Sequence, residues 1–193
     1  YVPIIHSIED YGWLQNAVKD AFVQEFGEIK FAELQRDIRD YWIRVEERVG
    51  KAIPDSHGLR IYHDGFPVGS QEKVLATFGC MLRNNPKSWN VQLVKKLLDK
   101  GAVLEGTEDM ALVVEQIRIY ECMIRAPKEE RQRIAAVHAN RAEELVELRD
   151  DFIARRICDT LSEEGVGILF IGRDHDVIRR LEMSAKNITI VSM

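Results

Sequence analysis

Two histidines stand where acid–base chemistry is most easily arranged. His6 ends the apolar run Val2-Pro3-Ile4-Ile5. His175 follows the apolar run 166–171 after the turn Gly172-Arg173-Asp174. A helix start comes next in each case. Ser7 with Asp10 three residues on is a capping-box pattern, and Asp174 is placed to cap a helix over 176–185. A third run, Ala102-Val103-Leu104-Glu105, leads into Gly106-Thr107-Glu108-Asp109, with Thr107 expected to cap a helix over 110–123. A strand running into a helix N-terminus presents free N–H groups and a positive dipole, which suit an anion or a developing oxyanion. The same field disfavours imidazolium, so a histidine there is free to act as a base or a metal ligand. Two histidines with carboxylates nearby suit a divalent metal ion with an open position. One such histidine often does no more than bond its own turn; two at equivalent strand ends make the stronger case. His6 and His175 are therefore the candidate base or metal ligands, with Glu105 and Glu108 as acids at the third strand end.

Other residues read more simply. Tyr62-His63-Asp64-Gly65 has the composition of a turn. His57 beside Gly58, and His138 within a helical stretch, have no chemical setting. Arg149 and Asp150 lie in a helix rich in charge, where a solvated face is the plain expectation. Cys80, Cys122 and Cys158 form neither a zinc spacing nor a disulfide framework, which fits a reducing, cytoplasmic compartment. There is no Walker loop, no G-x-G-x-x-G and no G-x-S-x-G.

The elements that must position these side chains alternate between short apolar runs and helical periods. Amphipathic helices are predicted from Trp13 to Phe22, from Phe31 to Val49 and from Gln71 to Leu82. Asn85-Pro86 is expected to open a further helix that Gly101 closes. Residues 50–69 read as a loop, with Leu59-Arg60-Ile61-Tyr62 as a short strand within it. Ile188-Thr189-Ile190-Val191 reads as a closing strand. The stretch 127–161 has no glycine or proline after Pro127. As one helix it spans about 50 Å at ~1.5 Å per residue, so it must bend, break near His138-Ala139-Asn140, or project. Its apolar positions Ile134, Val137 and Leu145 favour a homodimer. The fold expected is α/β: one domain over 1–193 with a mainly parallel sheet flanked by helices, and 127–161 as a long helical excursion. Ligands in such a sheet bind beyond the strand carboxyl ends.

The C-terminal third, with Arg149-Asp150, a helix from Asp151 to Leu161, a strand, and then Gly172-Arg173-Asp174-His175 as G-x-x-H, resembles the ending of a known superfamily. It includes the TraB and Tiki proteins, the erythromycin-esterase-like proteins and the haem-binding ChaN group. The first histidine motif is matched by Pro3-Ile4-Ile5-His6, with proline where the family has glycine. The pieces Ile61-Tyr62-His63-Asp64-Gly65-Phe66-Pro67 and Gly101 to Glu108 also resemble a group of uncharacterised prokaryotic proteins. The resemblance implies hydrolysis of esters or peptides, in some members with a metal, or haem binding in others. It implies base or metal-ligand roles for His6 and His175, an anion-holding or carboxylate-orienting role for Arg149, and an acidic partner in Glu108.

The 193 residues are 46% hydrophobic and 31% charged, the balance of an ordinary globular chain. With 27 Lys and Arg against 32 Asp and Glu the net charge is −5, which makes nucleic acid and anionic membranes poor partners. No apolar run approaches the ~20 residues of a membrane span. The start Tyr1-Val2-Pro3 does not read as a secretory signal. The expected function is hydrolysis of an ester or amide bond in a small molecule. His6, His175 and Arg149 would be catalytic and Glu105, Glu108 and Asp150 would contact substrate, with a divalent metal ion as the candidate cofactor. The alternatives are a non-catalytic protein holding a small anion or haem-like cofactor, and an oligomeric structural or regulatory module.

Overall fold

A computed structural model of the chain describes residues 1–184, 186 and 188–192, the side chain of Trp13 excepted. Four strands, β1 (Val2–Ile4), β2 (Arg60–His63), β3 (Val103–Glu105) and β4 (Gly167–Gly172), form one sheet in the order β1-β4-β2-β3. Every pairing is parallel, with Ile4 opposite Gly172, His63 opposite Phe170 and Tyr62 opposite Glu105. The helical crossovers between successive strands make this possible. The fold is the expected α/β type. The strand at 59–62 is a sheet member placed between β4 and β3, one residue later than the sequence suggests.

Alternating side chains feed two cores. On one face Val2, Ile4, Ile61, Leu104, Ile168 and Phe170 pack against α2 (Glu28–Ala52), α3 (Gln71–Asn84) and α4 (Trp89–Asp99). On the other face Tyr62, Leu169 and Ile171 meet α6 (Lys128–Thr160) and α7 (Val177–Glu182) through Ile153, Ile157, Val177 and Leu181. Pro3, which lacks an N–H, sits in an edge strand, where that loss is tolerated. Two α2 side chains tie this strand down: the Tyr41 hydroxyl donates to the Pro3 carbonyl, and Trp42 Nε1 donates to the Ile5 carbonyl at 2.9 Å.

Several boundaries differ from expectation. Ser7 and Asp10 do form the capping arrangement, but it opens a 3-10 helix (Ile8–Leu14) before α1 (Gln15–Phe26). Ser88, not Asn85, caps α4 by accepting the Val91 N–H. Asp109, not Thr107, caps α5 (Met110–Arg125), because the Thr107 hydroxyl is turned inward to the His63 carbonyl at 2.5 Å. The last helix begins at Val177, with Asp176 as its N-cap, and the Asp176 N–H donates to the Asp150 carboxylate at 2.6 Å. The closing run 188–191 is not a strand among the described residues. Ile188 and Ile190 instead dock by their side chains on the second core, and the Tyr1 ammonium donates to the Val191 carbonyl.

The long stretch is one continuous helix through 138–140. Its C-terminal half lies on the sheet and its outer half pairs with α5 as a helical hairpin. Arg141 grips Glu115 across that hairpin with two bonds, 2.6 and 2.8 Å. Among the described residues no helix is long and apolar enough to cross a membrane.

Candidate functional site

The strand carboxyl ends bring together residues that are distant in the chain. Along the sheet they run from His6 after β1, through the β4 turn with Gly172 and His175, to Asp64 after β2 and Glu108 after β3. Arg149 and Asp150 reach this edge from α6.

His175 is positioned by its turn and by α6. Its backbone N–H returns to the Gly172 carbonyl at 3.3 Å, and its ring Nδ1 bonds the Asp150 carboxylate. Asp150 is only 1% exposed, and burying a carboxylate is tolerated only when its oxygens are bonded. The second Asp150 oxygen accepts from the Asp176 N–H at 2.6 Å and from Arg180 at 3.4 Å. Arg180 is itself held by Asp151 at 2.6 Å. This chain of bonds locks the imidazole and sets its tautomer: Nδ1 carries the proton that Asp150 accepts, and Nε2 keeps its lone pair. Among the described residues Nε2 forms no hydrogen bond.

His6 is more open. Its Nδ1 lies 3.7 Å from Asp10, and its ring is 5.9 Å from that of Tyr11. Burial opposes its charged form, yet the Asp10 carboxylate and the charge of Asp64 outweigh it and raise the histidine above its ordinary value. Burial likewise works against the Asp10 carboxylate. His6, the Ser88 hydroxyl and the Ser7 N–H reverse that effect and lower it below the ordinary range. His6 is therefore shifted toward its charged form, the opposite direction to that expected beside a helix start.

Arg149 is buried against Glu108, which is 1% exposed. Its Nε donates to Glu108 Oε2 at 3.1 Å, Nη2 donates to Oε1, and Nη1 donates to Gln116. Glu108 also accepts the Gly65 N–H at 3.2 Å. Desolvation works against the guanidinium charge, but Glu108, Asp64 and Asp150 raise its affinity for the proton overall. This cluster joins α5, α6 and the loops after β2 and β3. Glu105 belongs elsewhere: it pairs with Arg60 and, at 4.0 Å, with Arg156.

Asp64 is the residue that sequence reasoning treats as a turn and the structure places in the site. Its Oδ2 accepts the Gly172 N–H at 3.0 Å, and its charge reaches both His6 and Arg149. The available signal was position, since Asp64 follows an apolar strand just as His6 and His175 do. Gln116 was hidden on an amphipathic helix. His63 is buried at the same edge, with Nδ1 on the Asp64 carbonyl at 2.6 Å and its ring against Phe66 and Phe170.

Two hollows lie near this edge, and neither is lined by His6 or His175. One of about 500 Å³ runs between α6 and α7, walled by Glu143, Glu147, Asp150, Asp174, Arg179 and Arg180. The other, about 270 Å³, is bounded by Ser7, Arg36, Arg39 and Trp89. The metal expectation also lacks a ligand set. Among the described residues no three His, Cys, Asp or Glu side chains are grouped so as to hold a metal ion.

What the arrangement can do chemically is take a proton at His175 Nε2 and offer one from His6 on the neighbouring strand. Comparison with protein-family models, with curated proteins and with solved structures gives no match for the chain.

Proposed function

We propose that the chain is a hydrolase of ester or amide bonds in small molecules, with His175 as general base. The observation that carries this reading is the bond from His175 Nδ1 to a buried, fully bonded Asp150. A carboxylate in that position orients the ring and stabilises the imidazolium that forms when Nε2 takes a proton.

The reaction would run in two steps. Water attacks the substrate carbonyl carbon while one of its protons passes to His175 Nε2, and the carbonyl π electrons move to oxygen. The tetrahedral species then collapses, the C–O or C–N bond breaks, and the Nε2 proton goes to the departing alkoxide or amine. His6, held toward its charged form, would face the developing oxyanion from the adjacent strand. Arg149 acts as a positioning residue, since it bonds Glu108 and Gln116 and through them fixes α5 and α6 at the sheet edge.

The order P-x-x-H, Arg-Asp, G-x-x-H along the chain supports the same reading through the resemblance to the erythromycin-esterase-like superfamily. The alternative, a non-catalytic holder of a small anion or haem-like cofactor, would use the same edge. Three carboxylates there, Asp64, Glu108 and Asp150, favour proton transfer over anion capture. Hydrolysis of p-nitrophenyl acetate by the wild-type chain, lost in His175→Ala, tests the proposal; equal rates in the two overturn it.

A further inference from the structure

Gly172 ends β4 without needing glycine's conformational freedom, because its φ is not positive. What its missing side chain leaves is space. A Cβ at this position would lie 3.4 Å from His175 Cδ2 and 3.5 Å from Asp64 Oδ2. The edge of the catalytic imidazole and a carboxylate oxygen thus border one small gap over the backbone of Gly172. The same two residues are tied to that backbone: Asp64 Oδ2 accepts its N–H at 3.0 Å, and its carbonyl accepts the His175 N–H at 3.3 Å. Cδ2 is the ring atom bonded to Nε2, and Nε2 itself lies farther out, more than 4 Å from that Cβ position, so a water bonded to both Nε2 and Asp64 Oδ2 would sit on the outer side of the gap. An ordered water needs two to four polar partners in a space of its own size.

We propose that Asp64 is a further catalytic residue of this site: with His175 it borders the gap over Gly172 in which the attacking water is seated. Asp64 Oδ2 accepts one O–H of that water and keeps it oriented. His175 Nε2 takes the other proton as the oxygen bonds the carbonyl carbon, and Asp64 gains no proton in the step. The inference rests on the hydrolase reading and adds to it the seat of the water and the group that orients it.

The test uses the full chain and p-nitrophenyl acetate, with wild type, His175→Ala, Asp64→Asn and Gly172→Ala. Asparagine can still accept the Gly172 N–H, so Asp64→Asn removes charge and leaves the strand end bonded. The alanine methyl meets its neighbours at ordinary contact distances, so Gly172→Ala fills the gap and leaves the backbone in place. Each variant should lose roughly ten- to a hundredfold in kcat, with KM and the thermal midpoint unchanged. Wild-type kcat in either variant, beside an inactive His175→Ala, overturns the inference and leaves the hydrolase reading intact. A loss of kcat that merely follows a fall in thermal midpoint marks a structural Asp64 and also overturns it. A wild-type chain with no turnover overturns both.

Discussion

Arg149 on α6 holds Glu108 with two guanidinium N–H groups across a separation of 41 residues, and both side chains are nearly closed to solvent. The pair joins the loop after β3 to the middle of the longest helix. Gly65 donates to the same carboxylate at 3.2 Å and brings in the loop after β2. The elements carrying Asp64, Glu108 and Asp150 are thus held by one buried charge pair.

Breaking that pair from one side leaves a charge without its partner in a dry setting, which costs about 3–5 kcal/mol. Arg149→Leu is expected to show a loss of that size in urea unfolding. Arg149→Leu with Glu108→Leu should recover much of it, because no lone charge is left. A single variant as stable as wild type would show that the pair does not hold the loops.

The pair His6 and Asp10 predicts a pH window. The folded value of His6 lies above its ordinary 6.5, so its contribution is full below that pH and is lost as pH rises through the folded value. Asp10 lies below its ordinary 3.8, so its contribution is present above that pH and is lost as pH falls through the folded value. Both are present together between about pH 4 and 6.5. Because His6 is well exposed, screening keeps the gain under about 1 kcal/mol. The stability difference between wild type and His6→Gln, measured by urea unfolding across pH 5 to 9 (chosen as roughly the histidine range), should shrink as pH rises. A difference that grows with pH contradicts the assignment.

We further propose that the outer part of the α5–α6 hairpin mediates self-association. Leu145 is already buried, but Val137 is 74% exposed on α6, and Val114 and Ile117 are exposed on α5. Light scattering at tens of micromolar, roughly where weak contacts appear, should give about twice the 22.3 kDa chain mass. Val137→Glu should return it to one chain. A wild-type mass of one chain contradicts the proposal.

Much of the sheet is legible in the sequence because β1 and β4 are unbroken apolar runs and β3 is apolar up to its closing Glu105; β4 feeds both cores, while β1 and β3 feed the first. Arg60-Ile61-Tyr62-His63 is harder to read, since charge and a histidine flank only two apolar positions. Those two, Ile61 and Tyr62, nevertheless serve opposite faces at the sheet's centre. The run 188–191 has strand-like composition, but composition does not say whether a backbone partner is within reach. The two histidines are legible as strand-end residues. Asp150 is named from the sequence only as a substrate contact; its bond to His175 is not legible, because nothing distinguishes it from the charged residues around it on α6 until the β4 turn, 25 residues on, folds against it. Asp64 hides for the reverse reason: Asp-Gly is also what an ordinary turn needs.

The most direct measurement is the kcat of Asp150→Asn on an ester that the wild-type chain hydrolyses. The asparagine oxygen can still accept the Asp176 N–H, which directs its NH₂ group at His175 Nδ1. That donor forces the proton onto Nε2 and removes the base without removing the ring. The account predicts a loss of roughly a hundred- to ten-thousandfold in kcat with the fold retained. Wild-type kcat in Asp150→Asn would contradict it.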